Sequence, residues 1–288
     1  MGFVHVRDKD NLERKLWRMR KAGMSELQVV ADFDGTLTFH TTKSPSGLVR
    51  SLSCHGVIGK HPAFSDSYRK EVQRMEDYFA PLESDPSLDD TARLKVMTDW
   101  WSQSHQLMIN QNISINAVEG MVTHACQRGM FGLRDKARDF LMSARSSRIP
   151  TIVLSAGISI VIEELFKLDN IPVDDLTAIV SNQVITGTDG IMQAFVDPVI
   201  HGMSKKHVLK TFIDNSVTRK LRKNIIVLGD MPHDADVINS IEDVECIISV
   251  GFLLDQSKLT SYMSLYDIVI TEDGNFQPVI DLIDRIRY

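Results

Sequence analysis

The sequence predicts an α/β fold: a Rossmann-like, doubly wound parallel sheet with an inserted helical cap and a β-hairpin. Short apolar runs rich in β-branched residues recur at 27–33, 150–155, 224–229, 245–250 and 266–270. They are continuous rather than alternating, as in strands covered on both faces. Helical patterns separate them at 158–168, 205–214, 233–241, 255–264 and 276–286. Strand–helix alternation of this kind builds a sheet whose ligands gather at the carboxyl ends of its strands.

In chain order, Leu12, Leu16, Trp17 and Met24 lie among basic residues around 10–23, an amphipathic helix ahead of the first strand. Residues 40–132 break the alternation with a polar loop at 40–62 and helical stretches near 65–79, 88–112 and 114–128, without a convincing strand. This division gives a core of 1–40 and 133–288 and a helical cap of 41–132. Within the core, Val180 to Val184, the turn Thr188-Asp189-Gly190 and Ile191 to Val196 read as a hairpin.

The 288-residue chain is 43% hydrophobic and 24% charged, an ordinary globular composition. Its net charge of −6 argues against nucleic acid or an anionic membrane as the main partner, since both need a basic footprint. A small phosphorylated substrate needs only local positive charge. No apolar run has the length of a membrane span, and the first ten residues lack a signal-peptide layout. Cys54, Cys126 and Cys246 are few, scattered and odd in number, which suits a reducing compartment. A cytosolic monomer is expected.

Four elements carry chemistry. Asp32 ends the first apolar run and Asp34 follows in Asp32-Phe-Asp-Gly-Thr36. Two carboxylates so close are tolerated if a cation lies between them or one keeps a proton; an Asp-rich turn can also simply cap the next element. Ser155, with Ala156 and Gly157 at a helix start, offers a hydroxyl and backbone N–H groups to an anion, or serves as an N-cap. Lys205 stands at another helix start and could offset phosphoryl charge, although one of two adjacent lysines is often plainly solvated. Gly229-Asp230-Met-Pro-His-Asp234 follows a further strand: Asp230 suits a hard cation, while Asp234 could hold the lysine, hold a ligand water, or cap a helix.

The ordered set of these motifs resembles the haloacid dehalogenase superfamily of aspartate-nucleophile phosphohydrolases. Asp34 separates it from branches that lack an acid/base group beside the nucleophile. Cys54-His55, Glu83-Ser-Asp-Pro86, Asp99-Trp100-Trp101, Ser104-His105, Ser155 to Glu164, Val180-Ser-Asn182 and Ile200-His201 with Lys205 resemble more narrowly the cytosolic 5′-nucleotidase III family. Gly35 is ordinary at a position where that family usually has Met or Gly; two departures accompany the match, Met231-Pro232-His233 in place of smaller polar residues and a loop 40–62 without the second Cys of a Cys-x-x-Cys-His segment.

The resemblance implies an Mg²⁺-dependent hydrolysis of nucleoside 5′-monophosphates, pyrimidine ones such as CMP and UMP or 7-methyl-GMP. Asp32 would be the nucleophile and Asp34 the acid/base. Mg²⁺ would be held by Asp32, the Phe33–Asp34 backbone region and Asp230, and phosphate by Ser155, Ala156, Gly157 and Lys205, with Asp234 in support. Glu83, His55, Trp100 and Trp101 would meet the base, with one tryptophan on the ligand and one in the cap core. A broader sugar-phosphate phosphatase or nucleoside phosphotransferase would use the same residues, and a non-catalytic nucleotide-binding protein is a further alternative.

Overall fold

The computed structural model describes residues 2–44, 47–83, 85, 87–215, 220–239 and 241–288. A short strand β1 (Val4–Val6) precedes α1 (Lys9–Ala22), whose first turn is capped by Asp8 accepting from the Asn11 amide at 2.9 Å. The first long strand is β2 (Leu27–Ala31), every residue of which is buried. Beyond it come the hairpin strands β3 (Thr41–Ser44) and β4 (Gly47–Arg50), then α2 (Cys54–Gly59), α3 (Asp66–Glu83), α4 (Asp90–Ile109) and α5 (Ile115–Gln127). The chain re-enters the sheet layer through α6 (Ala137–Ser146), β5 (Thr151–Ile158), α7 (Ser159–Leu168) and β6 (Thr177–Asn182). A small hairpin, β7 (Val184–Thr186) and β8 (Met192–Phe195), leads to α8 (Lys205–Asp214) and β9 (Asn224–Gly229). Finally β10 (Cys246–Leu253), α9 (Leu259–Leu265), β11 (Ile268–Thr271) and α10 (Gln277–Arg287) complete the alternation.

Among the described residues, seven strands form one sheet in the order β1-β11-β10-β9-β2-β5-β6, parallel except for β1. The predicted α/β architecture is therefore present. From β2 the chain moves outward through β5 and β6, then returns to β9 on the other side of β2. That reversal opens a crevice at the carboxyl end of β2, where such sheets bind ligands. Burial supplies the driving force on both faces: Phe33, Phe140, Phe166 and Phe276 are buried with the apolar sides of α6, α7 and α10. The cores of α2 and α5 join the same cluster through Val57, Ile58, Val118 and Val122, whereas α3 and α4 pack on each other. No helix of the described residues is long and apolar enough to cross a membrane.

Several elements differ from expectation. The segment 40–132 does contain strands, because Thr41–Ser44 and Gly47–Arg50 pair antiparallel; their polar, mostly exposed residues gave no apolar signal. Thr177–Asn182 is an outer strand of the main sheet rather than a hairpin arm, since Val180 pairs with Leu154. The hairpin begins only at Val184. The helix expected at 233–241 is a single 3₁₀ turn, Pro232–Asp234, followed by turns. Asp234 there accepts the Met231 amide and the Lys205 ammonium, so its side chain holds a compact loop instead of starting a long helix. Of the Glu83-Ser-Asp-Pro86 segment, Ser84 and Pro86 lie outside the described residues.

Candidate active site

Asp32, Ser155 and Asp230 leave adjacent strands, β2, β5 and β9, at the same sheet edge. After Asp32 the chain buries Phe33 against Phe131 and Phe166, then turns through Gly35 at φ +80°. Gly35 is required twice over: its backbone is left-handed, and a Cβ would stand 2.5 Å from Asp230 Oδ2. Along β5 the ladder breaks between Leu154 and Ile158, so Ser155, Ala156 and Gly157 bulge out of register. Ser155 is not the cap of α7; its hydroxyl accepts the Gly157 amide at 2.9 Å. Gly157 lets the bulge approach α2, where a Cβ would meet Cys54 Sγ at 2.7 Å.

Lys205 Nζ lies 2.5 Å from Asp32 Oδ1 and 2.8 Å from Asp234 Oδ1, with all three side chains buried. The other Asp32 oxygen, Oδ2, is buried and has no hydrogen-bond partner among the described residues. Burial drives the Asp32 pKa up to about 8; Lys205 opposes this, while Asp234 and Asp230 add to it. The lysine is raised despite its burial because it faces both carboxylates, and Asp234 is depressed despite its burial because it faces the lysine. Lys205 is thus shared between two acids, with the Asp230 charge adding to theirs. Asp32, Asp230 and Asp234 each bring an oxygen within 4.8 Å of the others'. A buried, unpartnered oxygen in an all-carboxylate cluster fits a hard divalent cation, whose charge would offset the excess.

The Asp34 carboxylate turns away from that cluster. Both its oxygens accept the Cys54 amide, at 3.0 and 3.2 Å, at the start of α2. Burial lifts its pKa to about 6, although the Cys54 amide works against the rise. A carboxyl group near neutrality is suited to proton transfer in both directions.

Residues of α2, α3 and α4 approach the same edge. Glu83 ends α3, and its pKa is raised by burial and by the Asp230 charge, with Lys205 opposing. Its carboxylate has no hydrogen-bond partner among the described residues. Trp101 donates its indole N–H to the Ala156 carbonyl at 3.1 Å and meets His55 edge-on at 5.7 Å. Trp100 instead stacks on Phe79 of α3, with ring centroids 5.8 Å apart. His55 Nε2 lies 3.3 Å from His105 Nε2, and burial lowers the His55 pKa to about 4. Asn182 Nδ2 reaches the Ala156 carbonyl at 2.7 Å, tying β6 to the bulge at 155–157.

Sequence reasoning did not anticipate His40, Arg134 and Asp273. His40 Nε2 lies 3.2 Å from Asp230 Oδ2, and Arg134 reaches His40 Nδ1 at 3.0 Å and Asp273 Oδ1 at 2.5 Å. Tyr262 and Tyr266 were missed as well; their hydroxyls hold the carbonyls of Asp230 and Met231 at 2.6 and 2.5 Å. The available signal was small: a histidine soon after the Asp motif, and an arginine where the core resumes.

A lysine-bound strand-end aspartate, a neighbouring acid and a third acid across the crevice sit on a sheet whose fold is that of the haloacid dehalogenase-type phosphatases. Its fold agrees with a phosphoserine phosphohydrolase-like protein from Francisella tularensis, at a TM-score of 0.53 over 89% of this chain and 99% of the other, with 15% identity. Within that class, residues 38–287 match the Pyrimidine 5′-nucleotidase (UMPH-1) family, and the chain belongs to it. It is an enzyme of the phosphoric monoester hydrolase kind. The 7-methylguanosine phosphate-specific 5′-nucleotidase A of Xenopus laevis is 31% identical over 281 residues, covering 96% of this chain and 93% of that one. The corresponding Homo sapiens enzyme is 27% identical, with 98% and 92% covered. A crystal structure of cytosolic 5′-nucleotidase IIIB bound to cytidine superposes with a TM-score of 0.81 at 26% identity, covering 98% of this chain and 92% of that one.

Proposed function

We propose that the protein is an Mg²⁺-dependent cytosolic 5′-nucleotidase acting through an aspartyl-phosphate on Asp32. The observation that carries this reading is the buried Asp32 carboxylate, one oxygen bound to Lys205 and the other unpartnered. A carboxylate oxygen of Asp32 attacks phosphorus in line, a P–O bond forms, and the bond to the nucleoside O5′ breaks. Asp34 gives its proton to the departing O5′. It then takes a proton from the water that attacks the phosphoenzyme, releasing inorganic phosphate and restoring the Asp32 carboxylate. Lys205, Ser155 and the amides of the 155–157 bulge orient the phosphoryl oxygens, since positioning and charge are most of what phosphoryl transfer asks of a protein. Asp32 and Asp230 would hold the cation, which when bound neutralises charge on those oxygens.

We read residues 41–132 as the cap, rooted in the core by α2 and α5 and presenting Glu83, Trp101 and His55 to the base. Trp100 belongs to the packing of α3 on α4 in this reading. Glu83 is a partly buried acid within electrostatic reach of Asp230 and Lys205, and a carboxylate there favours a cationic base, as an indole face such as that of Trp101 would. The names of the relatives point the same way, so 7-methyl-GMP is the preferred substrate proposed, with CMP and UMP also turned over.

Phosphate release from CMP, UMP, AMP and 7-methyl-GMP with Mg²⁺ present checks both levels. The highest kcat/KM is expected for 7-methyl-GMP, and Glu83→Gln should lower that value selectively; equal rates across the panel would overturn the base assignment. Asp32→Asn should abolish turnover while nucleotide binding remains measurable. Retained turnover would end the aspartyl-phosphate scheme.

A further inference from the structure

We propose that His40, gripped by Arg134 and Asp273, is a positioning residue for Asp230 and thereby sets the affinity of the site for its divalent cation. The inference rests on the metal-dependent reading above and adds residues that the phosphoryl chemistry itself does not use.

Three independent placements converge on one imidazole. His40 is buried, and its Nε2 faces Asp230 Oδ2 at 3.2 Å. Whether the ring carries one proton or two, an Nε2–H donates there, because a bare nitrogen would set two acceptors against each other. On the other side of the ring, Nδ1 lies 3.0 Å from Arg134 Nη2 and 3.4 Å from Asp273 Oδ1. The ring can therefore neither flip nor rotate without losing partners on both sides.

Arg134 is among the most buried side chains of the protein, and every N–H it owns is spent in this place. Nε donates to the Thr36 carbonyl at 3.0 Å, and Nη1 to Asp273 Oδ1 at 2.5 Å and the Gly274 carbonyl at 3.0 Å. Nη2 donates to the Gly35 carbonyl at 2.6 Å and points its second hydrogen at His40. Asp273 adds the His40 and Thr41 amides, each at 2.9 Å. Its own backbone and that of Glu272 are left-handed, at φ 52° and 57°, a conformation costly for residues with side chains. Strained backbone held by a dense set of contacts is common beside functional sites. The clamp thus joins the loop after β2, the entry to α6 and the exit of β11, and delivers one N–H to one oxygen of Asp230. Gly35 completes the fit, since a Cβ there would lie 2.9 Å from His40 Nε2 and wedge into this bond.

Hydrogen bonds of this sort orient a ligating carboxylate before the metal arrives, and their loss commonly weakens binding ten- to a hundredfold. Calorimetric titration of the metal-free protein with Mg²⁺ tests the assignment. Wild type should bind and Asp230→Ala should not. His40→Phe, which keeps a ring without the donor, should raise the Mg²⁺ Kd by about tenfold or more. His40→Gln returns an N–H toward Asp230 and should recover most of that loss. Asp273→Asn, acting from the far side of the ring, should raise Kd in the same direction. In turnover, the His40→Phe defect should fall on the Mg²⁺ KM more than on kcat. An unchanged Mg²⁺ Kd in folded His40→Phe, or in Asp273→Asn if that ring variant does not fold, overturns the clamp and leaves the nucleotidase reading intact. Equal losses of affinity and of Tm in His40→Phe and His40→Gln also overturn it, reducing His40 to a packing residue. Absence of Mg²⁺ binding by wild type overturns the metal-dependent reading beneath it.

Discussion

Asp34 and Asp32 sit two residues apart yet face different surroundings, and that difference divides their roles. Asp32 meets an ammonium, whereas Asp34 meets only the amide and thiol of Cys54 in a buried place, and that burial lifts its pKa to about 6. In the proposed scheme the acid form is the one that protonates the departing nucleoside. Since burial raises the folded value to about 6, the kcat/KM profile should carry a limb that falls as pH rises through about 6, as that proton is lost, set against the ionisation that the Asp32 nucleophile requires. Asp34→Asn should remove that limb and lower kcat/KM by about 10²–10⁴; a pH–rate profile of both proteins checks it. Asp32, Asp34, Lys205 and Asp230 were legible in the sequence because each follows a strand or opens a helix, positions that local pattern reveals. His40, Arg134 and Asp273 were not. They are separated by 94 residues in one case and 233 in another, and only the return of β11 to the sheet brings them together.

Among elements, the seam between cap and core is lined by uncharged histidines. Burial lowers His55 and His201 to about 4 and His105 to about 2, with His55 adding to the last. His105 also stacks on Phe195 of the β7–β8 hairpin, with ring centroids 3.7 Å apart. Depressed bases are protonated in the unfolded chain first. Their stabilisation is therefore whole above about pH 6.5 and is lost as pH falls toward the folded values. Asp34 works in the opposite direction up to about pH 6, so wild type must be compared with a variant that removes one term. His105→Phe keeps the stack and should show a shallower fall of Tm between pH 7 and pH 5, measured by circular dichroism. The strands of the main sheet were readable as continuous apolar runs. Thr177–Asn182 was misjudged because Val184 lies only two residues beyond its end, so one hydrophobic segment spans a sheet strand and a hairpin arm. The polar β3–β4 hairpin and the β1 edge left no such trace.

At the scale of the molecule, β11 carries one acid at each end, with opposite duties. Asp273 leaves the strand beside the active site, while Asp267 enters it at the far edge and anchors the amino-terminal helix. Asp267 is buried, takes Lys15 Nζ at 2.7 Å and Arg7 Nη2 at 2.9 Å, and accepts the Ser249 amide at 3.0 Å. Asp267→Ala removes the acceptor of that amide and both ion pairs, leaving Arg7 with the Ser264 carbonyl. It should cost about 2–3 kcal/mol, somewhat below a fully buried pair because Lys15 and Arg7 remain partly exposed. Urea unfolding should register the loss while kcat/KM at low temperature stays at the wild-type value, since the catalytic edge lies at the other end of the strands.

The indole of Trp101 offers an optical consequence. Trp17 is exposed on α1 and Trp100 is stacked on Phe79, so Trp101 alone spans cap and phosphate bulge, through the Ala156 carbonyl. Any opening of the cap must break that bond and wet the ring. With Trp17 and Trp100 replaced by phenylalanine, the emission of the remaining tryptophan becomes a built-in gauge of cap position, readable in a stopped-flow cuvette during each turnover.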